Sequence, residues 1–154
     1  MGAVATSSAA RKGAMWGARA RDWADTEVQQ APTYQAALEW VRDMTELVRP
    51  GVTCAELAAA APLVPERFRA QRYECMIHSV GLEEESPSVC HPQDVQSNPD
   101  RVVQRDMVLV VETYMGEVGA SHGVKLGDVV LVTESGAEVL APYPYARSLA
   151  PAGS

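Results

Sequence analysis

The chain has 154 residues and a mass of 16.6 kDa, which suits one ordinary domain and excludes two complete catalytic domains. Hydrophobic residues make up 47% and charged residues 21%, so the chain can bury a core and does not have the composition of a disordered protein. The 20 acidic and 13 basic side chains give a net charge of -7. This charge argues against nucleic acid or an anionic membrane as a partner.

The lack of targeting signals and the cysteine spacing exclude membrane, secreted, disulfide-bonded and zinc-knuckle proteins. No apolar stretch is long enough to span a bilayer, and the start lacks the apolar core of a secretory signal. We therefore expect a cytoplasmic protein with no membrane partner. The three cysteines, Cys54, Cys75 and Cys90, have no close spacing such as C-x-x-C. We interpret them as reduced, packed thiols and not as a disulfide framework or a zinc knuckle.

The first half of the chain predicts helices. Tryptophans at helical spacing predict a short helix over residues 15–23, and the sequence A-P-T at 31–33 interrupts it. In residues 34–48 apolar side chains recur at i, i+3, i+4 and i+7, which predicts a longer helix. The sequence T-C-A-E at 53–56 can form a capping box before a short helix at 57–61. A helical turn is also expected at 66–72.

The second half predicts an antiparallel sheet. Four segments rich in Val, Ile and Tyr have the character of strands, namely residues 73–81, 107–115, 125–133 and 138–140. A hairpin signal at 134–136 joins the last two. The Pro- and Ser-containing segment 86–99 predicts a loop long enough to have a function.

Two strand residues are unusual for an apolar strand. Glu112 shares a strand face with Val108, Val110 and Tyr114. If buried, its carboxylate needs a cation, a metal or hydrogen-bond donors; alternatively, it reaches solvent at the end of the strand. His78 lies among apolar residues and is either a satisfied core residue or a ligand. A carboxylate and an imidazole together suit a divalent metal or an acid/base site.

Three blocks of sequence, in order, carry a resemblance to a known family. They are H-S-V-G-L-E-E-E-S-P (78–87), M-V-L-V-V-E-T-Y-M-G-E-V-G (107–119) and G-V-K-L-G-D-V-V-L-V-T (123–133). They resemble the pita-bread metallopeptidases, which include Xaa-Pro aminopeptidases, prolidases, methionine aminopeptidases and creatinase. The first two blocks are most similar to a branch that includes a dimethylsulfoniopropionate lyase. The resemblance covers about residues 35–144.

The resemblance implies a divalent metal centre of Mn, Fe, Zn or Co, held by two aspartates, one histidine and two glutamates. His78 matches the histidine and Glu112 the first glutamate. The position of the second glutamate is Gly127, and Asp128 beside it is expected to face the opposite side of the strand. Nothing upstream matches the two aspartates. The resemblance therefore implies an incomplete centre in which only His78 and Glu112 hold metal.

Further roles also rest on the resemblance. Glu84 and Glu85 would handle protons, and Tyr73 would line the same pocket. From the acidic spacing alone, the run at 83–85 is better interpreted as a solvated loop. The implied function is a metal-dependent hydrolase of Xaa-Pro aminopeptidase or prolidase type, truncated and catalytically impaired, acting if at all on a small peptide or small molecule. The alternatives are a dimethylsulfoniopropionate lyase-like enzyme and a non-catalytic pseudoenzyme or binding subunit.

The implied fold is α+β, the C-terminal half of the pita-bread fold, with helices on a curved and mainly antiparallel sheet. We expect an unrelated leader at 1–32, a partial metallopeptidase domain at 33–146 and a disordered tail at 147–154. Residues 15–38 faintly resemble the start of class I methyltransferases, but the glycine-rich cofactor loop is absent. Half of a two-half fold exposes apolar sheet surface, so we expect a homodimer.

Overall fold

The structure is a computed structural model that describes residues 20–81 and 84–142; the side chains of residues 20–29 and 84–85 lie outside this description. Two α-helices and a short 3-10 helix precede five strands. The elements are α1 Ala20–Leu47, α2 Cys54–Ala60, the 3-10 helix Glu66–Gln71, β1 Cys75–Val80, β2 Glu84–Cys90, β3 Val108–Gly116, β4 Gly123–Val132 and β5 Ala137–Val139.

The five strands form one sheet in the order β2-β1-β3-β4-β5, and every neighbouring pair is antiparallel. Helix α1 supplies Leu38, Val41 and Met44 to a continuous buried cluster. Because side chains alternate along a strand, Leu109 and Val111 of β3 reach the same cluster from one face of the sheet. The expected α+β architecture, with helices on one face of an antiparallel sheet, is confirmed.

The interruption predicted at residues 31–33 is wrong. Helix α1 is continuous over Ala20–Leu47 and contains Pro32. Proline removes one backbone donor from the helix, and here its ring is exposed, so the remaining hydrogen bonds can continue on both sides. The described helices include none that is both long and apolar enough to cross a membrane.

The loop predicted at 86–99 is also wrong at its start, because β2 extends to Cys90. Strand β2 pairs with β1 on one side only and forms an edge of the sheet. Pro87 lies in the register shift between the Ser88–His78 and Glu85–Ser79 pairs, where the strand needs no ladder bond from it. The other predicted strands are present with ends shifted by one or two residues.

The expected domain boundaries remain predictions. Most of the leader at 1–32 and all of the tail at 147–154 lie outside the described residues, as do residues 15–19 of the first predicted helix. The homodimer also remains a prediction.

The predicted capping box at the start of α2 is confirmed. The Glu56 amide donates to the Thr53 hydroxyl at 3.1 Å, and the Thr53 amide donates to the Glu56 carboxylate at 2.8 Å. The second bond lowers the pKa of Glu56 from its ordinary value of 4.5. Because the pKa of Glu56 is lower in the folded state, this hydrogen bond stabilises the fold above pH 4.5. The stabilisation is lost as the pH falls further.

We predict that Thr53→Ala lowers the free energy of unfolding by about 1 kcal/mol, because the first turn of α2 loses its side-chain acceptor. Urea denaturation at neutral pH measures this change. Glu56→Gln is the control, since glutamine can still accept from the Thr53 amide. An equal loss in both variants would contradict the assignment of the stabilisation to the Thr53 hydroxyl.

Candidate functional site

The strand register brings three polar side chains to the face of the sheet directed away from α1, which we call the open face. His78 of β1 lies opposite Val110 of β3. Glu112 follows Val110 by two residues and therefore shares its face. Lys125 of β4 lies opposite Tyr114, which also shares this face. His78, Glu112 and Lys125 thus come from three adjacent strands to one surface.

A hydrogen-bond acceptor of the His78 ring faces an acceptor oxygen of the Glu112 carboxylate. His78 Nδ1 lies 3.1 Å from the Ser79 carbonyl oxygen. Because a carbonyl only accepts, we assign the proton to Nδ1, which leaves a lone pair on Nε2. Nε2 is 3.8 Å from Glu112 Oε1, and this buried oxygen has no hydrogen-bond partner within the described residues. Two buried acceptors so arranged leave a position for a shared cation between them.

The other carboxylate oxygen of Glu112 already has a cation. Lys125 Nζ lies 3.1 Å from Glu112 Oε2 and 4.1 Å from the centre of the Tyr73 ring. The Glu112 side chain is only 10% exposed, whereas that of Lys125 is 50% exposed. The ammonium therefore neutralises a buried carboxylate from the rim of the site and makes a cation–π contact with the ring.

Gly127 lies directly opposite Glu112, and Asp128 lies opposite Val111. Asp128 therefore faces the helix side of the sheet, as expected, and does not join His78 and Glu112. A Cβ atom at position 127 would meet Glu112 Cβ at 2.8 Å, so a side chain there requires the two backbones to move apart. This register leaves no carboxylate directly opposite Glu112.

His78 and Glu112 fit one divalent ion in part. Two ligand atoms about 2.1 Å from a tetrahedral ion are roughly 3.4 Å apart, close to the 3.8 Å between Nε2 and Oε1. The bond from His78 Nδ1 to a backbone carbonyl also fits, because ligating histidines are commonly oriented in this way. Among the residues described, however, no group of three or more His, Cys, Asp or Glu could hold an ion.

A cavity of about 360 Å³ opens beside His78. Tyr73 lines it together with Ser86, Ser88 and Cys90 of β2. The backbones of Glu84 and Glu85 lie in β2 opposite Val80 and Ser79. Their side chains lie outside the description, so their expected roles remain predictions.

Sequence reasoning missed Lys125. A signal was available, because Lys125 and Gly127 are two residues apart in a strand and must share a face. Once Glu112 is paired with Gly127, a lysine on that face lies within diagonal reach of the carboxylate. The choice between a solvated and a paired Glu112 is resolved in favour of pairing.

Comparison with known proteins identifies the family to which this chain belongs. The model of metallopeptidase family M24 matches residues 7–134. The chain belongs to this family, and its fold is the C-terminal part of the pita-bread fold.

Relatives within the family include two kinds of enzyme. The dimethylsulfoniopropionate lyase DddP of Roseovarius nubinhibens is 41% identical over 116 residues, 75% of this chain and 26% of the relative. The Xaa-Pro dipeptidase of Pyrococcus furiosus is 30% identical over 117 residues, 73% of this chain and 31% of the relative. The chain therefore spans about a quarter to a third of the length of these relatives.

Solved structures agree on the fold. Prolidase from Pyrococcus furiosus matches with a TM-score of 0.60 and 27% identity, covering 76% of this chain and 34% of the prolidase. The X-Pro aminopeptidase from Thermotoga maritima matches with a TM-score of 0.60 and 22% identity, over 75% of this chain and 32% of the aminopeptidase.

We predict that Lys125→Met lowers the free energy of unfolding by about 1–2 kcal/mol, because Glu112 is then buried without its cation. The same substitution in a Glu112→Gln background should cost much less, since no charge remains to be neutralised. Denaturant unfolding of the wild type, both single variants and the double variant measures the coupling. Equal costs in both backgrounds would show that the ion pair contributes nothing.

Proposed function

We propose that the part of the protein represented by this chain is a partial metal site of family M24, which binds one divalent cation weakly through His78 and Glu112 and does not hydrolyse peptides on its own. The orphaned Glu112 Oε1 facing His78 Nε2 carries this proposal. Both atoms are oriented toward one point by backbone pairing and by the His78–Ser79 bond.

The limitation is the number of ligands. When bound, a divalent ion in a hydrolase activates water or polarises a carbonyl, and catalytic sites usually supply at least three protein ligands for it. His78 and Glu112 face each other as one imidazole and one carboxylate, while Gly127 stands where a third donor could project beside them. His78 and Glu112 would hold the ion, and the remaining coordination positions would be left to solvent.

Lys125 weakens the site further. The Lys125 ammonium, 3.1 Å from Glu112 Oε2, would repel a divalent ion held by the same carboxylate. The ammonium also shares the Glu112 carboxylate. Lys125 therefore satisfies this carboxylate in the absence of metal and opposes metal when it binds.

Isothermal titration with Mn²⁺ or Co²⁺ tests the proposal. We expect weak binding by the wild type, none by Glu112→Gln, and an association constant at least about tenfold higher for Lys125→Met. Stoichiometric tight metal in the wild type, or binding unchanged by Glu112→Gln, would overturn the proposal.

Gly127 provides a matched pair of controls for this titration. Gly127→Glu adds a carboxylate opposite Glu112, whereas Gly127→Ala adds only the Cβ atom that crowds Glu112. Both variants force the same backbone movement. Higher affinity in the glutamate variant alone therefore reports the added ligand and not the movement.

A second candidate is a lyase that acts on dimethylsulfoniopropionate, in which a carboxylate abstracts a proton next to the leaving group. It is favoured by the 41% and 36% identity to two such lyases, against 30% to the dipeptidase. In this reading Glu84 is the base and Tyr73 lines the substrate pocket.

Parallel assays separate the two candidates. The partial-site proposal predicts no hydrolysis of an Xaa-Pro dipeptide and no release of dimethyl sulfide from dimethylsulfoniopropionate above buffer controls, with Mn²⁺ present. Release of dimethyl sulfide that disappears in Glu84→Gln would establish the lyase. Dipeptide hydrolysis that disappears in Glu112→Gln would instead show that two protein ligands suffice for hydrolysis.

A further inference from the structure

Two of the three cysteines, Cys75 and Cys90, lie side by side in the sheet although they belong to different strands. Cys75 at the start of β1 is the direct antiparallel partner of Cys90 at the end of β2. Both line the cavity beside His78. Neither thiol has a part in the proposed metal site, and the expectation of separate packed thiols does not account for their pairing.

Backbone hydrogen bonds define the type of this pair. The adjoining His91 amide donates to the Glu74 carbonyl. At Cys90, by contrast, both backbone groups bond to the Gln96 side chain, at 3.2 Å for the amide and 3.0 Å for the carbonyl. Cys75 and Cys90 therefore occupy a non-hydrogen-bonded position, where the side chains of antiparallel partners lie closest.

The expected spacing of such partners suits a disulfide. Partners at a non-hydrogen-bonded position of antiparallel strands have Cα atoms about 4.5 Å apart. Disulfides span Cα separations of about 4.4–6.8 Å. The backbone can therefore carry a Cys75–Cys90 bond without the strands separating.

A β-bulge brings this pair to the open face. Residues 75 and 78 would face opposite sides of a regular strand because their spacing is odd. The register shift between Cys75 and Ile77 inserts Met76 as an extra residue. As a result Cys75 lines the same cavity as His78, and its partner Cys90 reaches it by alternation from Ser88.

We propose that Cys75 and Cys90 form a reversible disulfide in the wall of the His78 cavity, by exchange with a low-molecular-weight disulfide such as oxidised glutathione. This modification site is independent of the proposed function, because neither cysteine is one of the residues proposed to hold metal.

The exchange proceeds in two balanced steps. The Cys75 thiolate attacks glutathione disulfide, which forms a mixed disulfide on Cys75 and releases one glutathione thiolate. The Cys90 thiolate then attacks the Cys75 sulfur, forming the Cys75–Cys90 bond and releasing the second glutathione. Two electrons pass from the protein thiols to glutathione disulfide, and the two thiol protons end on the released glutathiones.

The environments of the thiols set this order. Cys75 is half-buried and therefore reachable from the cavity, whereas Cys90 is buried. Burial raises the pKa of the Cys90 thiol, the carboxylates of Glu74 and Asp94 raise it further, and a hydrogen bond from Cys75 acts against them. Cys75 is accordingly the attacking thiol and Cys90 the resolving thiol.

Oxidation would tie the edge strand β2 to β1 at the base of the cavity. It closes a chain segment from residue 75 to residue 90 and so restricts the unfolded state. We expect the oxidised protein to have a thermal midpoint about 5 °C or more above that of the reduced protein.

The test uses the whole purified chain equilibrated with oxidised glutathione. We expect a denatured thiol titration to fall from three thiols to one, with full recovery after dithiothreitol. Both cysteines lie in one tryptic peptide, so cleavage at the glutamates between them is needed to release two linked peptides for mass spectrometry.

Two variants complete the design. Cys54→Ser should still lose two thiols and show the same rise in thermal midpoint, because Cys54 is outside the pair. Cys90→Ser should accumulate a glutathione mixed disulfide on Cys75 and show no rise. The proposal fails if the oxidised wild type retains all three thiols, holds only mixed disulfides, or links either residue to Cys54.

Discussion

The ion pair between Glu112 and Lys125 is the interaction on which the open face depends. A carboxylate that is nine-tenths buried in the middle of an antiparallel sheet is costly unless a cation accompanies it. Lys125 provides that cation from the neighbouring strand at 3.1 Å. Since one carboxylate and one ammonium cancel, the pair is neutral in the absence of metal, and a divalent ion would add charge that this pair does not balance.

The remaining polar geometry is determined by the same strand pairing. His78 Nδ1 is directed toward the Ser79 carbonyl, so Nε2 faces the carboxylate oxygen that Lys125 does not contact. Glu112 thus presents one carboxylate oxygen to the Lys125 ammonium and the other to the Nε2 lone pair of His78. This division leaves the Glu112–Lys125 pair charge-balanced without a metal ion, while one carboxylate oxygen still faces the His78 ring.

Much of the fold could be predicted from the sequence because it depends on local patterns. Apolar spacing at 34–48 and alternation at 107–115 predicted the buried helix face and the two faces of β3. Pro32 misled the prediction because a single lost hydrogen bond can be tolerated when the ring is exposed. Strand β2 was missed because an edge strand needs only one bonded side and therefore accepts serine and proline.

Candidate site residues could be predicted only where a single residue was unusual in its own segment. Glu112 and His78 stood out as polar residues in apolar strands, and both lie where expected. The Cys75–Cys90 pairing could not be predicted from spacing, because it depends on the β1–β2 register and on the extra residue Met76. Long-range register of this kind is set by the whole sheet and leaves no mark in the local sequence.

A single glycine connects the two unusual features of the open face. Because Gly127 has no side chain, β4 leaves the space opposite Glu112 open, and the backbones approach so closely that a Cβ atom would lie 2.8 Å from Glu112 Cβ. Lys125, two residues away on the same face, can cross this space diagonally to reach the carboxylate. A larger residue at 127 would place its own atoms on that path. The open space opposite Glu112 and the contact of Lys125 with its carboxylate therefore have a common structural cause, namely the glycine at position 127.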